Sequence, residues 1–196
     1  MLYTKGIKMK IINKSELRIE YKQKRKDMPI DDVASKSKNA QNILLKSDIY
    51  KNAKTIMIYM PLGNETDTSL VINNSFDSGK NVVIPVTDGT TGVITPCYIS
   101  KDTQYKTGSF NIKEPTTLNV ADVCDIDVIV VPGIAFTKGG ERVGFGKGCY
   151  DMLLKNYDGI KIGFCYDLQL CEGGFSDGHD IMMDYIITEK EFIKCK

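Results

Sequence analysis

Asp127-Val-Ile-Val-Val-Pro-Gly-Ile-Ala-Phe-Thr-Lys-Gly-Gly-Glu-Arg-Val-Gly-Phe-Gly-Lys-Gly-Cys-Tyr-Asp151 decides the fold. Its opening run, Asp127–Val131, is β-branched and apolar, the pattern of a strand buried on both faces of a parallel sheet. A long glycine-rich loop follows and enters a helix expected over Cys149–Asn156. In open α/β sheets, ligands bind where a strand hands over to its helix. A loop this long in a compact domain is usually functional. Gly144, Gly146 and Gly148 alternate, and Lys147 stands between the last two. Glycines let backbone N–H groups approach an anion, and the following helix start adds partial positive charge. With the full charges of Arg142 and Lys147, the stretch suits a polyphosphate. A Walker A loop would need glycine at 141 and Ser or Thr at 148, where Glu141 and Gly148 stand; G-x-G-x-x-G fails at Cys149. The plainer alternative is a flexible loop carrying two solvated cations.

Outward from this stretch, strands are expected at Thr55–Met60, Asn81–Val86, Lys161–Cys165 and Tyr185–Thr188. Val93–Ile99 reads as a strand nearer an edge because of Pro96. A helix starts at Asn13 with Glu16 and is stopped by Pro29; a second spans Asp31–Lys46. Asp67–Ser78, closed by Gly79, is a third, and Glu189–Ile193 reads as a last helical turn. Alternating buried strands and helices imply an α/β layered fold with a mostly parallel sheet, one domain over residues 1–196, and an N-terminal helical pair packed on it.

Composition agrees. The chain has 196 residues, 42% hydrophobic and 26% charged, an ordinary globular balance rather than a disordered one. The longest uncharged stretch, Gly89–Ser100, is too short to span a bilayer, so no membrane partner is expected. Met1–Met9 lacks the apolar core of a secretory signal; Met9 reads as an alternative start, and residues 1–9 as a disordered or upstream extension. Residues 1–54 carry 14 Lys/Arg against 6 Asp/Glu, while the remainder is acidic, which implies internal docking or an anion held between the two regions. With a net charge of +1, nucleic acid is not the expected partner. None of the six cysteines is paired as C-x-x-C; they read as reduced thiols in the cytoplasm.

Asp151 falls in the first turn of the helix after the loop. It is either an acid favouring the helix's positive end or a Mg²⁺ ligand. Asp184, leading the last strand, is its candidate metal partner or a solvated strand-end acid, and His179-Asp180 reads as orienting the segment that leads to it. Glu65 follows a turn, and Met60 ends a strand and suits a core. Lys14 and Arg18 lie one helical turn apart on one face, whereas Lys22, Lys24, Arg25 and Lys26 read as a solvated face.

Lys14-Ser-Glu-Leu-Arg18, Tyr59-Met-Pro-Leu-Gly-Asn-Glu65, Phe110-Asn-Ile-Lys-Glu-Pro115, Val131–Asp151, and His179-Asp180 followed by Asp184-Tyr-Ile-Ile-Thr188 occur in this order. Together they resemble the 5-formyltetrahydrofolate cyclo-ligase (methenyltetrahydrofolate synthetase) family over nearly the whole chain. The resemblance implies a three-layer α/β/α sandwich and a ligase of folate and one-carbon metabolism. Such an enzyme uses ATP and Mg²⁺ to cyclise 5-formyltetrahydrofolate to 5,10-methenyltetrahydrofolate, releasing ADP and phosphate. It also implies ATP contacts from Lys14, Arg18, Arg142, Val143, Gly144, Phe145, Gly146, Lys147, Gly148, Cys149 and Tyr150. Folate contacts would come from Met60, Glu65, Phe145, Lys147 and Cys149, metal contacts from Asp151 and Asp184, and catalysis from Lys147 and Arg142. A monomer is expected, binding only a reduced folate and a nucleotide. The family's usual Tyr-Tyr-Asp is Cys149-Tyr150-Asp151 here, and a position often Tyr or basic is Phe145. The competing functions are another activity on this kind of fold, such as a sugar-phosphate isomerase or CoA transferase, and a non-enzymatic RNA- or nucleotide-binding protein using the basic N-terminal helix.

Overall fold

Asn13 accepts a hydrogen bond from the Ser15 N–H and so starts α1 (Lys14–Lys26), in the first part of a computed structural model that describes residues 13–175, 178 and 180–195. The expectations for residues 1–9 and for His179 lie outside these residues. α2 (Ile30–Lys46) begins directly after Pro29, and Ser47 caps the short α3 (Asp48–Asn52). β1 (Thr55–Met57), α4 (Ser69–Asp77), β2 (Asn81–Thr87) and β3 (Ile94–Ile99) follow. A small hairpin comes next, β4 (Tyr105–Thr107) with β5 (Lys113–Pro115), then β6 (Val128–Val131). β7 (Ala135–Phe136) and β8 (Arg142–Val143) form a two-stranded ribbon before α5 (Cys149–Leu154). β9 (Ile160–Phe164), β10 (Tyr185–Ile187) and β11 (Phe192–Lys194) complete the order.

Seven strands form one sheet in the order β11-β10-β9-β6-β1-β2-β3. The five inner strands are parallel; β3 and β11 close the edges antiparallel. Side chains alternate between two faces, as the pleat requires. Ile56, Val82, Ile84, Val128 and Val130 pack with Ala40 and Leu44 of α2 and Val71 of α4. Met57, Val83, Ile129 and Val131 pack on the opposite face with Leu154 of α5. Both faces are covered, which explains the unbroken apolar run at Val128–Val131. The two N-terminal helices take separate supports: α2 lies on the sheet, while Leu17 and Tyr21 of α1 pack on Ile134, Ala135 and Val143 around the β7–β8 ribbon.

Residues 189–193 do not continue as a helix. The Thr188 side chain accepts from the Lys190 and Glu191 N–H groups in a tight turn, and β11 returns along β10, with Phe192 stacked on Tyr185 at 5.1 Å. Pro96 sits in the edge strand opposite Pro85, where the β1 ladder has already ended, so neither proline removes a bond between inner strands. Ile129 is fully buried at the sheet centre. Ile129→Ala is expected to cost about 3 kcal/mol, read as a lower urea midpoint at unchanged slope.

Candidate functional site

The sheet order places β1 beside both β2 and β6. From β1 the chain winds one way through α4 to β2, and from β6 it winds the other way through α5 to β9. The carboxyl ends of β1 and β6 therefore flank the point where winding reverses, the crevice that holds ligands in such sheets. A cavity of about 330 Å³ opens there. One wall is Tyr59, Met60 and Leu62 beyond β1, with Glu65 in the following turn. Pro132 beyond β6 and the Gly144–Asp151 segment form another, and Phe110 and Ile112 reach in from the turn joining β4 to β5.

α1 straps across this opening. Lys14 Nζ meets Asp180 Oδ2 at 2.5 Å, and Arg18 Nε donates to the Gly144 carbonyl at 2.8 Å. The basic first quarter is thereby docked on the glycine loop, as the charge split implied. Arg25 does not belong to the solvated face. Its side chain is 12% exposed, and Nη1 lies 3.8 Å from Glu65 Oε1. Lys22 does stay outside, with its ammonium over the exposed ring of Phe145 at 5.3 Å.

Arg142 is buried at the head of the loop. Its Nη2 donates to Asp151 Oδ1 at 2.8 Å, its guanidinium lies 5.7 Å from the Tyr150 ring centroid, and its Nε has no hydrogen-bond partner. A buried donor without a partner is costly. Lys147 is exposed; its Nζ donates to the Gly89 carbonyl at 3.0 Å and lies 4.6 Å from the Phe110 ring centroid. Phe110 itself has φ +58°, a left-handed conformation uncommon for an aromatic residue.

Glu65 is buried with a carboxylate oxygen accepting from the Leu62 N–H at 2.9 Å. Burial pushes its pKa up; the Leu62 N–H and the charge of Arg25 pull it back. The Tyr59 and Tyr150 hydroxyls are pushed above their usual range, chiefly by burial.

The cavity gathers Lys14, Arg18, Met60, Glu65, Arg142, Gly144–Tyr150 and Asp151 as expected of neighbours. Two residues stand elsewhere. Val143 is fully buried among Leu17, Tyr21 and Ala135, so its side chain supports α1 rather than a ligand. Asp184 lies at the amino end of β10, at the opposite edge of the sheet. There it accepts from the Lys161 N–H at 2.8 Å and pairs with Lys161 Nζ at 3.0 Å. Asp180 instead joins Asp151 and Glu65 at the cavity, brought close to Asp151 because the Ile181 N–H reaches Asp151 Oδ1 at 3.4 Å. Tyr59, Phe110, Asp180 and Arg25 join the expected residues at the site. Tyr59, Phe110 and Asp180 belong to the ordered segments that carry the family resemblance, and Arg25 alone lies outside them. Among the described residues no three His, Cys, Asp or Glu side chains gather as a metal cluster, and no helix is long and apolar enough to cross a membrane.

With this geometry in hand, the sequence model of the 5-formyltetrahydrofolate cyclo-ligase family matches residues 10–189. The chain belongs to that family. Its relatives include the mouse 5-formyltetrahydrofolate cyclo-ligase, 27% identical over 90% of this chain and 93% of the mouse protein. The Haemophilus influenzae 5-formyltetrahydrofolate cyclo-ligase is 30% identical over 70% of this chain and 77% of its own. The NMR structure of Aquifex aeolicus 5,10-methenyltetrahydrofolate synthetase superposes with a TM-score of 0.84 at 31% identity, covering 94% of each chain. Like these named relatives, this cyclo-ligase family member is an enzyme. The crevice at the sheet's reversal point is thus the candidate active site of a family whose members share both its sequence pattern and its fold.

Proposed function

We propose that the chain converts 5-formyltetrahydrofolate and ATP to 5,10-methenyltetrahydrofolate, ADP and phosphate. One observation carries this reading: a single cavity is lined both by Arg142, Lys147 and the glycine loop and by the buried Glu65. The cations and glycines suit a polyphosphate. Glu65 suits a ring that presents adjacent N–H donors, since a carboxylate accepts two hydrogen bonds.

The chemistry needs both. The formyl group on nitrogen is an amide, and resonance makes its oxygen a poor leaving group. Transfer of the γ-phosphoryl group to that oxygen breaks its bond to ADP and makes the oxygen expellable. The neighbouring folate nitrogen then attacks the formyl carbon, the ring closes, and the phosphate leaves with the oxygen. The chain's task is positioning and charge stabilisation, with no covalent nucleophile. Arg142 and Lys147 stabilise charge on the transferring phosphoryl, and Arg18 with Lys14 holds the loop and its neighbours in place. Glu65 orients the folate ring against Met60 and Tyr59.

Mg²⁺ bound to nucleotide phosphates takes only one or two protein carboxylates, and Asp151 and Asp180 supply that number at the cavity. Its charge would offset that of the phosphates. Asp180→Asn is expected to raise the Mg²⁺ needed for half-maximal rate roughly tenfold, equivalent to about 1.4 kcal/mol. Asp184→Asn, which keeps an acceptor for Lys161 at the far edge, is expected to leave that requirement unchanged. Magnesium titrations of the two variants check this pair.

The test of the reaction is spectrophotometric. Purified chain with Mg·ATP and 5-formyltetrahydrofolate should produce the methenyl chromophore, and omitting ATP should abolish it. ATP-independent turnover would point to another activity on this fold, and an unchanged folate sample would remove the proposal.

A further inference from the structure

α1 meets both the glycine loop and Glu65. Lys14, Arg18 and Arg25 follow one another at i, i+4 and i+11, so helical periodicity puts them on one stripe, beside the buried Leu17 and Tyr21. The stripe touches the site at three points: Asp180, the Gly144 carbonyl and Glu65. The third contact is the most sheltered, with 12% of the Arg25 side chain and 7% of Glu65 exposed, so salt and water screen it little. The other groups facing Glu65 are neutral. They are the Leu62 N–H, the Tyr59 and Tyr150 hydroxyls, and Tyr166, whose hydroxyl donates to the Glu65 carbonyl. Among the described residues Arg25 is the one cation within ion-pair distance of Glu65.

We propose that Arg25 is a positioning residue for the folate half of the site, holding the Glu65 side chain as a carboxylate aimed into the cavity. This rests on the assignment of Glu65 to the folate. A carboxylate buried this deeply is costly without a counter-charge. Burial raises the Glu65 pKa, and Arg25 is one of two groups that oppose it. Without Arg25 the carboxyl takes up a proton at higher pH, and the protonated form no longer offers two acceptors to paired N–H donors.

Steady-state kinetics with Mg·ATP and 5-formyltetrahydrofolate across the pH range, on Arg25→Gln, Arg25→Lys and Glu65→Gln, test this. Activity that depends on ionised Glu65 is present above its pKa and falls as pH drops through it. Arg25→Gln should move that acid limb of kcat/KM for the folate upward by about one unit, the low end for losing an opposite charge at this distance. On the acid side of the limb the folate KM should rise about tenfold per unit of displacement. The KM for ATP should stay in place, and Arg25→Lys should restore most of the effect. If Arg25→Gln leaves the limb and the folate KM unmoved while Glu65→Gln weakens folate, the role of Arg25 is wrong and the assignment of Glu65 stands. If Glu65→Gln itself leaves the folate KM unchanged, that assignment falls and takes this inference with it. Equal rises in both KM values with a lower melting temperature would show only that Arg25 fastens the helix, and would overturn the proposal.

Discussion

Arg142→Met is expected to lower kcat by roughly a thousandfold while leaving the melting temperature unchanged or slightly higher. The two halves of this result come from one geometry. The Arg142 side chain is 5% exposed, yet it spends one nitrogen on Asp151 and leaves Nε unpaired. An unmet buried donor costs about 1–3 kcal/mol. Removing the guanidinium removes that cost, and methionine keeps much of the apolar stem. Asp151, left behind, is 28% exposed and can be solvated, so no isolated charge is trapped. In the phosphoryl transfer, charge spreads over oxygens that need fixed donors. One preorganised donor of this kind is worth about 3–4 kcal/mol of barrier. kcat at saturating substrates and thermal unfolding of the same preparation separate the two effects. A rate that falls only in proportion to the unfolded fraction would make Arg142 a structural residue.

The large pattern of the fold was legible because it rests on long apolar runs. Within them Thr55–Tyr59, Val82–Ile84 and Val128–Val131 are buried, and a strand suits such short β-branched runs bounded by Pro, Gly and charge. Pro96 marked the edge strand for a physical reason that held. The final turn was misread because Glu189, Lys190 and Glu191 are good helix formers, whereas the sheet edge beside β10 offered Phe192–Lys194 a ladder and a stacking partner. Tertiary pairing of this kind outweighs local propensity. The β7–β8 ribbon hid inside the glycine stretch because two-residue strands are too short to show alternation. At the site, the glycines and cations were legible from spacing, since they share one stretch. Asp180 and Arg25 were not, because their roles depend on which segments the fold brings together. For Asp184 the residues alone leave a metal ligand and a solvated strand-end acid open, and the resemblance implies the former; in the parallel sheet the amino end of β10 faces away from the ligand crevice.

Lys147→Ala is expected to reduce kcat about 10²- to 10³-fold with no loss of folding stability, as for removal of one preorganised charged donor. Stability should not respond because Lys147 is exposed and holds only a neutral carbonyl and a ring face. An exposed cation–π contact is worth about 0.5–1 kcal/mol. Both partners are neutral, so a polyphosphate in the cavity offers the ammonium a stronger partner than Gly89 or Phe110. The backbone on either side needs glycine: Gly146 has φ +107° and Gly148 φ +67°, conformations that side chains rarely adopt. Lys147 and the first residues of α5, Cys149 to Asp151, line the same cavity. Lys138→Ala supplies the control, since Lys138 is another exposed cation of the same long segment but pairs with Glu191 away from the cavity. It should keep kcat within about twofold, as surface substitutions remote from a site usually do. If the two variants lose activity equally, general charge is at work rather than a placed donor. If neither does, phosphoryl transfer is not stabilised from this loop.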